Sequence, residues 1–299
     1  MAALFQSVPF AILGTGVLVA VASALVGTLL TVRGQAMLTD AISHGVVLGI
    51  AVVYLALDVV GGPWQLLGAA ITGLITVFVT EALSSGRRVR RDAAIALVFP
   101  AMFAAGVLLL ALFARNVHVD QHTVLLGEIG FVWLDQVSVF GFELPRAMAT
   151  LALVLALDLA FLGLLYKQLA AAAFDPVHAQ LQGLRPKLVG GVLLALTAVT
   201  AVAAFDAVGV VLFVAFAIVP AVTGQLLGRR LPGVLLIAAG IGTAAALGGY
   251  PVALALDISI GGTMALLTGV PLVILLSWRL LRAVVHTRTP SLTREGDMS

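Results

Sequence analysis

Arg33-Gly34-Gln35-Ala36-Met37-Leu38-Thr39-Asp40-Ala41-Ile42-Ser43-His44-Gly45 lies between two strongly apolar runs, residues 9–32 and 45–60, and carries polar groups that hydrocarbon excludes. If residues 37–49 are helical, Asp40 and His44 stand on one face, one turn and about 6 Å apart along the axis. A carboxylate oxygen and an imidazole nitrogen so placed can share one first-row divalent cation, because such ions accept both donor types. A carboxylate near the middle of a bilayer costs roughly 2.5–3.5 kcal/mol on insertion scales, so an idle one there is hard to sustain. The plainer alternative is that Asp40 N-caps a helix and His44 packs at an interface.

Working outward, the chain is 62% hydrophobic and 10% charged, far from the make-up of a water-soluble domain. Apolar runs long enough to match a bilayer core recur along nearly the whole length. The fold class is an all-α polytopic membrane protein. Cysteine is absent, which removes disulfides, thiolate metal sites and cysteine nucleophiles. No basic segment precedes the first apolar run, so residues 1–32 are not read as a cleaved signal peptide.

The expected spans are 9–32, a second that the 33–45 stretch leads into and that runs through 60, 64–83, 93–114, 145–166, 188–205, 207–227, 233–256 and 263–285. That makes nine, or eight if the broken eighth segment or a short run is re-entrant. Pro100 sits inside the fourth and predicts a kink; Gly248-Gly249-Tyr250-Pro251 predicts a break in the eighth; Asp206 is read as the hinge between the sixth and seventh. Residues 115–143 read as a polar loop with a short surface helix. Residues 1–286 form one transmembrane domain, and 287–299 a short polar tail. Arg33, Arg87, Arg88, Arg90, Arg91, Lys167, Arg185, Lys187, Arg229, Arg230, Arg279, Arg282, Arg288 and Arg294 fall on one side of this alternation, Arg115 and Arg146 on the other. Positive charge stays in the cytoplasm, which places the N-terminus outside and the C-terminus inside. The outer loops then hold Asp58, Asp120, Glu128, Asp135, Glu143, Asp206 and Asp257 with His118 and His122, a mouth that attracts cations. Polar, base-poor outer loops are also ordinary in membrane proteins.

No Walker phosphate loop, no His-Glu-x-x-His and no Gly-x-Ser-x-Gly occurs. Ser43 and His44 are adjacent and point about 100° apart on a helix, so they make no nucleophile–base pair. The chain reads as a mover of something, not as an enzyme.

Three stretches together resemble one family. They are Asp40-Ala41-Ile42-Ser43-His44, then Phe174-Asp175-Pro176 with Gly183-Leu184, and Ala207-Val208-Gly209-Val210-Val211-Leu212 leading to Ile218-Val219-Pro220-Ala221. The family is the membrane permease of ATP-binding-cassette importers for manganese, zinc and iron, and the resemblance covers residues 9–285. Thr39 stands where the family usually has glycine, and Leu48 where it often has proline. The resemblance implies an architecture similar to cobalamin and iron–siderophore permeases, with the chain between the first two pore helices buried in the membrane. It also implies a homodimer, or a pair of similar permeases, with the path at the interface. Two cytoplasmic ATP-binding subunits and an extracytoplasmic metal-binding protein complete the importer, in a bacterial plasma membrane. Asp40 and His44 become the metal ligands. Phe174, Asp175, Pro176 and Gly183 become the segment that couples to the ATPase, with Phe174 as apolar anchor and Asp175-Pro176 as a helix start. Asp206, His118 and His122 become the outer mouth.

Two other classes share some of these features. A secondary transporter driven by an ion gradient uses the same carboxylate and histidine without an ATPase. An intramembrane hydrolase puts Asp40 and His44 on a bound metal. Oxygen and nitrogen donors without sulfur argue against copper(I) and fit manganese, iron(II) or zinc. A carboxylate-rich path that must release its cargo suits the harder ion, manganese.

Overall fold

The computed structural model describes residues 8–58, 63–85, 89–113, 129–139 and 142–287. The helices are α1 (Val8–Val32), α2 (Met37–Leu57), α3 (Pro63–Ser85), α4 (Arg91–Phe113), α5 (Arg146–Phe174), α6 (Pro176–Leu181), α7 (Pro186–Leu227), α8 (Leu231–Leu256) and α9 (Ile260–Thr287). Among the described residues, all of these but α6 are long and apolar enough to cross a membrane, eight in number.

One of the eight makes two passes. α7 contains 42 residues and leaves helical geometry at Gly209, where φ is 75° and ψ 173°. Gly190 packs against the guanidinium of Arg33, while Gln225 and Gly228 share a cavity with Val32. A continuous helix would hold residues 190 and 228 about 57 Å apart, yet both stand at one end of α1. Phe205 and Phe213 confirm the reversal with ring centroids 5.1 Å apart across the bend. Only glycine adopts that backbone region without strain, since any Cβ would collide with the chain itself. Among the described residues the passes are therefore nine: residues 186–208 (α7a) run away from the Arg33 face and 210–227 (α7b) return. The hinge expected at Asp206 falls three residues later, at Gly209, with Asp206 still helical.

Two other expectations are corrected. α8 runs unbroken through Gly248-Gly249-Tyr250-Pro251, because a proline in the membrane is tolerated where neighbouring helices satisfy the freed carbonyl. α5 continues to Phe174, with one non-helical residue at Leu165. Most of the segment read as a loop with a short surface helix, residues 114–128, lies outside the described residues; its described part begins with the 3-10 turn Ile129–Phe131. After that turn come β1 (Gln136–Val139) and β2 (Phe142–Pro145), paired antiparallel with Val137 opposite Leu144.

α1 and α7b sit at the centre. Phe213, Phe216, Leu30 and Val19 are fully buried, and Gly27 lies directly on the Ala217 backbone. Small residues let helix axes approach where lipid offers no hydrophobic drive for association. The same device docks α2. Gly45 and Gly49 meet Thr76, Thr72 and the Gly68 carbonyl of α3. Thr72, Thr76 and Thr80 donate their hydroxyls back to Gly68, Thr72 and Thr76 carbonyls, so the contact leaves no polar group unmet. On the α4 side, Gly106 lets the backbone of Val47 and Leu48 come close. Leu48 thus sits in an unbroken helix where the resemblance often expects proline.

Candidate functional site

α2 begins at Met37 on a tight connection: Gly34 takes a positive φ of 67°, and Gln35 N–H donates to the Leu30 carbonyl at 2.8 Å. The N-cap is Ala36, without a side-chain bond, so Asp40 is not a cap. Thr39 and Ser43 are buried and donate to the Ala36 and Asp40 carbonyls. That leaves the Asp40 carboxylate free of local backbone duty. Along the axis Asp40 lies about 4.5 Å and His44 about 10 Å into a helix roughly 31 Å long, inside the apolar span and nearer the Arg33 end.

Asp40 Oδ1 and His44 Nε2 are 3.6 Å apart, and their side chains are 42% and 27% exposed. That separation is too long for a strong hydrogen bond. A cation bound to both at about 2.1 Å would need them about 3.0 Å apart at a right angle or 3.4 Å in a tetrahedron. The gap is that of a chelate with little adjustment. His44 is held by two rings of α4: Phe99 at 5.3 Å, tilted 35°, and Phe103 at 5.4 Å, edge-on at 80°. Its Nδ1 is buried without a hydrogen-bond partner, so Nε2, the nitrogen turned towards Asp40, is the donor on offer. Among the described residues no cluster of three or more His, Asp or Glu forms within one chain. One copy supplies one oxygen and one nitrogen.

Asp175 Oδ1 accepts the Val177 and His178 amides at 3.0 and 2.9 Å, with Pro176 in the first turn of α6. Gly183 ends it at φ 78°, with Gly183 N–H on the Gln180 carbonyl and Leu184 N–H on the Ala179 carbonyl, both at 3.0 Å. This is the paired closure that a left-handed glycine permits. The expected Asp175-Pro176 start is thus in place, and Gly183 closes the helix. The side chains of Phe174 and Pro176 lie outside the described ones. Val177 and Leu181, four residues apart and exposed, form an apolar stripe on α6 that the sequence reading passed over. Its signal was the i, i+4 spacing. Gln180 lines a groove of about 810 Å³ with Arg33, Glu81, Ser85 and Lys187, which puts α6 on the Arg33 face, near the end of α2 that carries Asp40.

At the other face Arg146 Nη1 is 3.6 Å from Asp135 Oδ2, and Asp206 lies within electrostatic reach of both. Asp206 is exposed there. His118 and His122 lie outside the described residues. Glu81 lines the groove on the Arg33 face, and Asp158 is buried between helices.

The model of the ABC 3 transport family matches residues 6–279. The chain is 44% identical over 260 residues to the manganese transport system membrane protein MntD of Bacillus subtilis, covering 87% of this chain and 88% of that one. It is 41% identical over 254 residues to the zinc transport system membrane protein TroD of Treponema pallidum, covering 85% and 69%. A solved structure described as PsaBC from Streptococcus pneumoniae in complex with Fab superposes with a TM-score of 0.73 at 23% identity, covering 89% of each chain. That likeness shows the shared fold. With a family match over nearly its whole length, this chain belongs to the ABC 3 transport family.

Proposed function

We propose that the chain is the membrane permease of an ATP-driven importer that carries a divalent transition metal ion into the cytoplasm, manganese before zinc or iron. The observation that carries this reading is the Asp40–His44 pair, spaced for chelation inside an apolar helix. The manganese and zinc systems of its relatives support the cargo class, and an oxygen–nitrogen donor set without sulfur fits it. Two donors are too few to strip an ion of its water. A second copy, or a similar permease, placed across a two-fold axis supplies two more, and the path then runs along that axis.

The basic face that gathers Arg33, Lys187, Arg229 and Arg230 is the cytoplasmic one, which puts the N-terminus outside a bacterial plasma membrane and the C-terminus inside. α6 projects from that face to a separate ATP-binding subunit, which does the hydrolysis. Asp206, with Asp135 and Arg146, lies at the opposite mouth, where an extracytoplasmic metal-binding protein delivers its ion; His118 and His122 belong to the same mouth. Residues 1–286 form a single permease domain, followed by a cytoplasmic tail.

Manganese uptake by cells relying on this permease tests the reading. Asp40→Ala and His44→Ala each lower uptake more than about tenfold at unchanged membrane level, since even groups that only orient a ligand change metal affinity about 10–100-fold. Normal uptake by either variant contradicts it. Loss of uptake when the ATP-binding partner is inactivated separates it from a gradient-driven carrier.

A further inference from the structure

Asp158 is a second acid inside the membrane, on α5, and the proposed metal path does not use it. It lies about 18 Å of helix from Arg146 and about 24 Å from Phe174, so it sits near mid-bilayer. It is 3% exposed. Among the described residues no arginine, lysine or histidine pairs with it. Its only partner there is Thr200 of α7a, whose Oγ1 stands 3.2 and 3.1 Å from the two carboxyl oxygens. The same Oγ1 is 2.9 Å from the Leu196 carbonyl.

A hydroxyl has one hydrogen to give. If Asp158 were ionised, that hydrogen would be divided among a buried carboxylate and a carbonyl, and the charge would have no counter-ion in hydrocarbon. A lone charge in such a place is strongly disfavoured. With a proton on Asp158 the count closes. The acid O–H donates to Thr200 Oγ1 and Thr200 donates to the Leu196 carbonyl, one hydrogen for each of these two bonds.

We infer that Asp158 is a proton-holding site: it stays the neutral acid in the folded permease, and the proton it keeps forms the hydrogen bond that ties α5 to α7a. α5 continues towards α6, and α7a begins just after it, so the tie fixes the two helices between which the α6 segment is strung.

Infrared spectroscopy of the purified permease, with aspartate labelled by carbon-13 at its side-chain carboxyl, tests this. Wild type shows a protonated-carboxyl C=O stretch that moves with the label. Asp158→Asn loses that band yet keeps wild-type membrane level and metal uptake, because an amide can still donate to Thr200. In Thr200→Val the band remains but shifts as its hydrogen bond disappears, and the thermal midpoint falls. Absence of the band in wild type, or an assembled Asp158→Asn permease that no longer transports, overturns the inference.

Discussion

His44 gains its orientation from neighbours far away in sequence. Phe99 and Phe103 flank the imidazole, leaving Nδ1 buried and Nε2 turned to Asp40. The spacing of Asp40 and His44 was legible in the sequence because helical periodicity alone puts i and i+4 together. The two phenylalanines were not, since α4 lies some fifty residues away and an aromatic residue in a membrane helix carries no local signal of what it faces. Phe103→Leu is expected to weaken uptake by raising the half-saturating manganese concentration, with the maximal rate much less affected. Its membrane level stays normal, as a similar apolar volume is kept. A change confined to maximal rate would argue against an orienting role. Asp175 illustrates the opposite case, a role read straight from sequence: acid, then proline, then the N-terminal amides.

At the scale of elements, α2 is fixed by close approach. Gly45 and Gly49 touch α3 so tightly that a side chain has no room. Gly45→Leu is expected to destabilise the fold by about 1–3 kcal/mol or more through overpacking, seen as loss of detergent-stable protein on size-exclusion chromatography. Gly209 is the second such point. Its φ of 75° with ψ near 173° makes Gly209→Ala cost roughly 1–3 kcal/mol of backbone strain, with a matching fall in thermal midpoint. The sequence placed this turn at Asp206 because a charged residue is the conspicuous interruption in an apolar run. Backbone freedom set the true position, and one glycine among many does not announce itself. Pro251 misled for the converse reason: in a packed membrane helix proline need not break anything. On α6 the exposed pair Val177 and Leu181 is expected to hold the ATP-binding subunit. Changing both to serine should abolish its co-purification while leaving the permease at normal level. Retained binding would move the contact elsewhere on this face.

For the whole molecule, the nine-pass alternation was readable from composition and from the arginines. The hairpin of Gln136–Val139 with Phe142–Pro145 was not, because it has too few residues for its pattern to stand out. The absence of cysteine makes the topology directly measurable. Arg230→Cys is expected to react with an impermeant maleimide only after the membrane is opened, and Ser259→Cys from outside; the reverse pattern, or one shared side, contradicts the assigned passes. The decisive measurement concerns the ion itself. Anomalous X-ray scattering from crystals of the assembled permease soaked in manganese should place one peak on the dimer axis, about 2.2 Å from Asp40 Oδ1 and His44 Nε2 of each copy. A transport-competent assembly whose manganese lies elsewhere, with these two side chains facing lipid, would contradict the account.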